Sequence, residues 1–103
     1  MLAIEVDKTR LREFCSKWRI TEFWLFGSVT RPEEFRPDSD VDVLVRFEEG
    51  APWSLFDWVD MEEELAEIFG RPVDLVELDV VERSANPYRR RSIMNSKVQL
   101  DVA

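Results

Sequence analysis

The sequence predicts an α/β (α+β) fold in which a small mixed β-sheet is packed by helices. Three observations lead there. Stretches with helical spacing alternate with short β-branched and aromatic runs, in the order α-β-(α)-β-α-β-α-β. The later part of the first run, Phe23-Trp24-Leu25-Phe26, is apolar on both faces, which suits an interior strand of a sheet covered on both sides. The chain has 103 residues with 45% hydrophobic content and four tryptophans, enough for one real core, so residues 1–103 read as a single domain.

A first helix is expected over about Lys8 to Trp18, because Leu11, Phe14 and Trp18 recur at helical spacing and Asp7 can cap the start. Cys15 lies near that stripe and reads as a packing residue. Ile20 to Phe26 reads as a strand that ends at Gly27. From Val29 to Asp38 the prolines and mixed charges predict a short helical turn and then a surface loop. Val41 to Phe47 is the next strand, broken by Glu48-Glu49-Gly50-Ala51-Pro52.

The clearest helix is Ser54 to Phe69. Ser54 and Asp57 match a capping box, and Leu55, Trp58, Val59, Leu65, Ile68 and Phe69 form one apolar stripe. Trp53, Phe56 and Trp58 are expected in the core, with one of them available to an interface. Gly70 can end this helix in a left-handed conformation, and Pro72 prevents its resumption. Val73 to Leu78 is a strand. Asn86-Pro87 is a cap with proline at the first helical position, so a helix from about Pro87 to Met94 follows. Val98, Leu100 and Val102 alternate with polar residues, as in a short edge strand.

Composition excludes several kinds of chemistry. With no histidine, the common zinc sites and Ser-His or Cys-His catalysis are unavailable. The net charge of −8 disfavours direct nucleic-acid binding, which relies on Lys and Arg, and favours divalent cations or a basic partner. No apolar run reaches the length of about 20 residues that a membrane span needs. Residues 1–5 turn charged too early for a secretory signal. A lone Cys15 fits a reducing cytoplasm. The charge leaves homo- and hetero-oligomers open.

Asp40 and Asp42 flank Val41 at the start of a strand, so they share a face with Cα atoms roughly 6.5–7 Å apart. Two carboxylates at that spacing suit a pair of divalent ions about 3.5–4 Å apart. Val41, Val43, Val45 and Phe47 face the other way and anchor the strand. Asp74 interrupts another apolar strand near its start, and joins the cluster if the two strands are neighbours. Oxygen ligands alone favour Mg²⁺. Gly27 allows close backbone approach to a phosphate, and Ser28 offers a hydroxyl and an N–H. Each part alone is common in turns and strand edges. Their combination in this order is what a two-ion phosphoryl- or nucleotidyl-transfer site needs.

These residues resemble the minimal nucleotidyltransferases of the DNA polymerase β superfamily. The likeness runs through Gly27-Ser28, Arg31, the stretch from Phe35 to Ser39, Asp40-Val41-Asp42-Val43-Leu44-Val45 and Val73-Asp74-Leu75-Val76. It continues in Ala85-Asn86-Pro87-Tyr88-Arg89-Arg90-Arg91-Ser92-Ile93. The resemblance implies a polymerase-β-like fold, with Asp40, Asp42 and Asp74 as catalytic and metal-binding carboxylates for two Mg²⁺ ions. Gly27, Ser28, Arg31 and Ser39 would contact the nucleotide, ATP or another NTP. It also implies a partner, a HEPN-type RNase toxin, which such proteins silence as antitoxins, some by transferring AMP to a toxin tyrosine. One departure stands out. Many relatives carry a small residue, Arg and Gly soon after the Gly-Ser pair, whereas this chain has Val29-Thr30-Arg31-Pro32-Glu33-Glu34. Arg31 can therefore be a nucleotide contact or one half of a surface salt bridge.

Two functions follow as expectations. The first is Mg²⁺-dependent transfer of a nucleotidyl group to a protein side chain, since so small a chain has little room for its own acceptor pocket. The second is a non-catalytic binding module that neutralises the toxin by direct contact. The acidic series Asp57, Asp60, Glu62, Glu63, Glu64 and Glu67 motivates the second, although such a face is often only solvated. Transfer to a small molecule fits poorly without a further helical domain. Arg83, Arg89, Arg90 and Arg91 form a cationic group suited to a phosphate, an acidic surface or the chain's own carboxylates.

Overall fold

The computed structural model describes residues 2 and 4–102. Eight regular elements follow one another: α1 (Lys8–Lys17), β1 (Ile20–Phe26), β2 (Val41–Phe47), α2 (Leu55–Phe69), β3 (Val73–Glu77), α3 (Leu78–Glu82), α4 (Pro87–Ser96) and β4 (Val98–Leu100). A 3-10 turn, Gly27–Thr30, joins β1 to the loop before β2. The strands lie in the order β3-β2-β1-β4. β1 runs antiparallel to both neighbours, and β2 runs parallel to β3, so the sheet is mixed as expected. No described helix is long and apolar enough to cross a membrane.

Helix ends form where the capping residues stand. Asp7 Oδ1 accepts the Arg10 N–H at 3.1 Å and starts α1. Ser54 and Asp57 exchange side-chain-to-backbone hydrogen bonds of 3.2 and 2.9 Å, a complete capping box for α2. Gly70 closes α2 at φ 72°, where a side chain would be strained. Asn86 Oδ1 accepts the N–H groups of Tyr88 and Arg89 at the start of α4.

The sheet is covered on both faces. Val41, Val43 and Val45 of β2 enter the larger core with Leu11, Phe14, Phe23, Leu25, Met61 and Leu65. Leu44 points the other way, into a smaller core with Trp24, Phe26, Leu78, Val81 and Ile93. Cys15 is fully buried in the larger core, and burial pushes its thiol pKa up to about 12, so it packs as a protonated apolar group.

Three expectations are corrected. The last strand residue is Glu77, because Leu78 instead begins α3, whose Leu78 and Val81 cover the second face of the sheet. The helical turn starts at Gly27 rather than Val29, so the Gly-Ser pair is part of it. The apolar stripe of α2 holds at Trp58, Leu65, Ile68 and Phe69, but Leu55 and Val59 leave it and Met61 joins it. Met61 and Leu65 are buried, with Trp58, Ile68 and Phe69 packed beside them. Leu55, Phe56 and Val59 face outward. At 3.6 residues per turn Val59 stands about 200° from Met61, so both cannot meet the sheet.

Candidate active site

Strand pairing collects the carboxylates at one end of the sheet. In the parallel pairing of β2 and β3, Asp42 stands directly beside Asp74. Asp40 lies one residue before β2. The neighbour relation on which Asp74 depended is therefore met. Asp42 shares its face with Leu44, so its carboxylate lies at the end of the smaller core, partly buried, while Asp40 and Asp74 are exposed. On the other flank, Phe26 of β1 pairs with Asp42, which brings Gly27 over the carboxylate. A Cβ built on Gly27 would come within 2.3 Å of Asp42 Oδ2, and Gly27 has φ 74°. Glycine is required there twice, by backbone conformation and by space.

The electrostatics follow from this crowding. The Asp42 pKa is raised from 3.8 to about 6, first by burial, then by Asp74 and Asp40, with Arg31 opposing the rise. All three neighbouring charges thus act on Asp42. Among the described residues the side chains as they stand do not surround one point as a group of three or more Cys, Asp or Glu. The backbone places the carboxylates together, and their rotamers set the final approach. The donor set, hard carboxylate oxygen with no histidine and with net repulsion to relieve, fits Mg²⁺.

This has a measurable consequence. A carboxyl whose folded pKa exceeds its unfolded value holds its proton longer in the native state. Stability then falls as pH rises from about 4 to about 6, and the loss persists above that window. The shift would be worth about 3 kcal/mol for a dry site. Solvent contact reduces this to roughly 1–2 kcal/mol. Asp42→Asn should therefore be more stable than the wild type by that amount in urea melts at pH 7.5 in EDTA. The difference should vanish near pH 3.5, and equal midpoints at both pH values would refute the assignment.

The remaining expected site residues divide. The Gly27 N–H donates to Ser96 Oγ at 3.4 Å, and Thr30 Oγ1 donates to the Gly27 carbonyl at 2.7 Å, so α4 and the 3-10 turn hold this glycine in place. The Gly27 N–H is therefore already engaged. Ser28 is half-buried in the same turn. Arg31 pairs with Glu34, the surface salt bridge considered for it, and its charge also acts to lower the Asp42 pKa. Ser39 Oγ accepts the Arg36 N–H at 3.0 Å and the Ser39 N–H returns to the Arg36 carbonyl, so its hydroxyl closes a turn. Pro32 is accommodated because the Arg31 N–H, just before it, makes the last bond of the 3-10 turn, to the Ser28 carbonyl. An open cleft of about 530 Å³ adjoins the turn, between Thr30, Arg31 and Ser92, Asn95, Ser96 and Lys97.

Two positioning residues escaped the sequence reading. Arg71 stacks on Phe35 at 4.6 Å, and its Nη1 donates to the Arg36 and Ser39 carbonyls at 3.3 and 3.5 Å. It clamps the turn that delivers Asp40. Arg71→Ala should lower transfer about tenfold through misplaced Asp40. Arg71→Lys should recover little, since a point charge cannot reproduce the planar stack. Steady-state rates for both variants test this, and wild-type rates in Arg71→Ala would exclude the clamp. Glu62 Oε2 accepts the Leu75 N–H at 3.0 Å and pins the edge strand next to Asp74. An Arg just past a helix end and one Glu within an acidic series carry no sequence signal for such contacts.

Comparison with known proteins agrees with this geometry. Residues 8–100 match the nucleotidyltransferase domain family. The protein adenylyltransferase MntA of Thermococcus cleftensis is 45% identical over 73 residues, which span 71% of this chain and 68% of that protein. The structure of a candidate minimal nucleotidyltransferase superposes with a TM-score of 0.67 at 31% identity, over 90% of this chain and 88% of that one. A tri-AMPylated Shewanella oneidensis HEPN toxin in complex with its MNT antitoxin gives a TM-score of 0.61 at 19% identity. That match covers 93% of this chain and 70% of that chain, and at such identity it shows a shared fold. Strand order, carboxylate placement and sequence kinship lead to one conclusion: the chain belongs to the nucleotidyltransferase domain family, as an enzyme akin to the protein adenylyltransferases.

Proposed function

We propose that this nucleotidyltransferase transfers AMP from ATP to a tyrosine of a HEPN-type toxin and so acts as its antitoxin in the cytoplasm. The observation that carries the reading is the pairing of Asp42 with Asp74, with Asp40 two residues upstream and Gly27 against the Asp42 carboxylate. The relatives named as a protein adenylyltransferase and as an antitoxin bound to an AMPylated HEPN toxin support the choice of acceptor.

In this reading Asp40, Asp42 and Asp74 would hold two Mg²⁺ ions. When bound, the ions supply positive charge against the nucleotide phosphates and the leaving group. The chain's own residues do the rest. Gly27 and Ser28 let the polyphosphate approach the backbone, and Arg31 adds a cation beside it. The cleft between Arg31 and the end of α4 has room for the remainder of the nucleotide. Asp74, at the exposed edge, takes the proton as the tyrosine oxygen bonds to the α-phosphorus. The bond from that phosphorus to the bridging oxygen of the β-phosphate breaks, and pyrophosphate leaves.

The test is incubation of the chain and a co-expressed HEPN-type partner with Mg²⁺ and α-labelled ATP. Label should appear on the partner's tyrosine. The outward Leu55, Phe56 and Val59 favour, as a second reading, neutralisation by contact alone. A stable complex with no label on either protein would select it.

A further inference from the structure

We propose that the first two turns of α2, together with the aromatic recess beside them, form the docking surface for a protein partner that offers an apolar anchor ringed by Lys and Arg. This rests on the reading that the chain works in complex with a HEPN-type protein, and it assigns the surface that receives it.

Leu55 and Phe56 are each 84% exposed and Val59 is 52% exposed. They are neighbours on the helix surface and form one apolar patch. Next to them a recess of about 250 Å³ opens between Phe47, Trp53 and Trp58, with Leu55 and Glu77 at its margin. Large side chains left outside a core next to an aromatic-walled recess mark a protein contact rather than a solvated face. Helix phase turns these positions outward, since α2 buries Met61 and Leu65 on its other side, but it does not require them to carry large apolar side chains.

Charge selects the occupant. Asp60 and Glu63 stand one helical turn beyond Phe56 and Val59, and neither has an ion-pair partner among the described residues. The chain as a whole carries −8. A second copy would set these acids against their own kind, whereas a cationic rim is attracted from a distance and held in register. The location suits a transferase. Phe47 closes β2 five residues beyond Asp42, roughly 16 Å along the strand. A partner seated there leaves the carboxylate end of the sheet free to receive an acceptor side chain.

The experiment measures Kd between the full chain and a HEPN-type protein encoded in the same genome, with sedimentation of the chain alone alongside. Leu55→Ser/Phe56→Ser should weaken binding at least about 30-fold. Asp60→Lys/Glu63→Lys should weaken it about tenfold and flatten its salt dependence. Both variants should keep the wild-type unfolding midpoint and the wild-type affinity for ATP with Mg²⁺, because these side chains lie outside the core and the site. Unchanged Kd in both variants would overturn the proposal. So would wild-type dimerisation that Phe56→Ser abolishes, which would make a second copy the occupant. Patch-dependent binding without AMP transfer would sink the transfer reading and uphold this one. Transfer with patch-independent binding would do the reverse.

Discussion

Replacing Asp40 and Asp42 together with Asn is expected to abolish label transfer, by more than about 10³-fold, without unfolding the chain. The expectation rests on position and charge. Asp42 sits between Asp74 and Gly27 at the end of the sheet, and Asp40 lies just upstream of the same strand. Asn keeps the volume of each side chain, so the strand pairing around Asp42 is unaffected. What is lost is the anionic donor set, because a neutral amide oxygen is a weak ligand for Mg²⁺. The burial cost and the repulsion that raise the Asp42 pKa are lost too, so the variant should melt above the wild type at neutral pH. A more stable and inactive protein is the signature of a site whose charges serve function at the expense of the fold. Retained transfer would sink the nucleotidyl-transfer reading of this cluster. A complex that still forms and still neutralises toxin would show that contact alone suffices.

Gly27→Ala is expected to combine a smaller loss of stability with a large loss of transfer. The left-handed backbone at φ 74° costs a non-glycine residue about 1–2 kcal/mol. The new methyl would fall 2.3 Å from Asp42 Oδ2, so the carboxylate must swing away. Displacement of a reacting-centre ligand by about an ångström is worth on the order of 10² in rate. Thermal melts and single-turnover transfer read the two effects separately. Near-normal transfer with a normal melt would mean that Asp42 has room to relocate, and the close packing of glycine on carboxylate would lose its proposed role. Gly50 gives the internal comparison. It also has positive φ, at 80°, but nothing lies within 4 Å of its Cβ position. Gly50→Ala should therefore cost stability alone.

Legibility varied with the kind of information each element needs. β1 and β2 were read to the residue, because Gly27 and the Glu48-to-Pro52 break bound compact apolar runs. The capping box and Gly70 likewise announced both ends of α2. Its buried face is legible at Trp58, Leu65, Ile68 and Phe69 but not in its first turns. A helix with apolar residues on several sides offers more than one stripe, and only contact with the sheet chooses Met61 over Leu55 and Val59. α3 was missed because Leu78 continues the alternation of the preceding strand, and a five-residue helix is too short to show a period. Ser39 illustrates the same limit within the site, since its place in the motif did not reveal that its hydroxyl closes a turn on Arg36.

The sequence by itself determined the chemical inventory. The absence of histidine, the Asp40-Val41-Asp42 pattern on a buried strand and the Gly27-Ser28 pair after another left carboxylate-based transfer as the natural chemistry. Those are local properties, written in composition and in the period of single elements. Only the tertiary structure decided that β2 and β3 pair in parallel with Asp42 beside Asp74, that Gly27 lies on the Asp42 carboxylate, and that Arg71 holds the loop before Asp40. It also decided which side of α2 is left uncovered. The reason is physical: register, close approach and helix phase are set by which surfaces bury one another, and residues distant in the chain share no local period that could announce their contact.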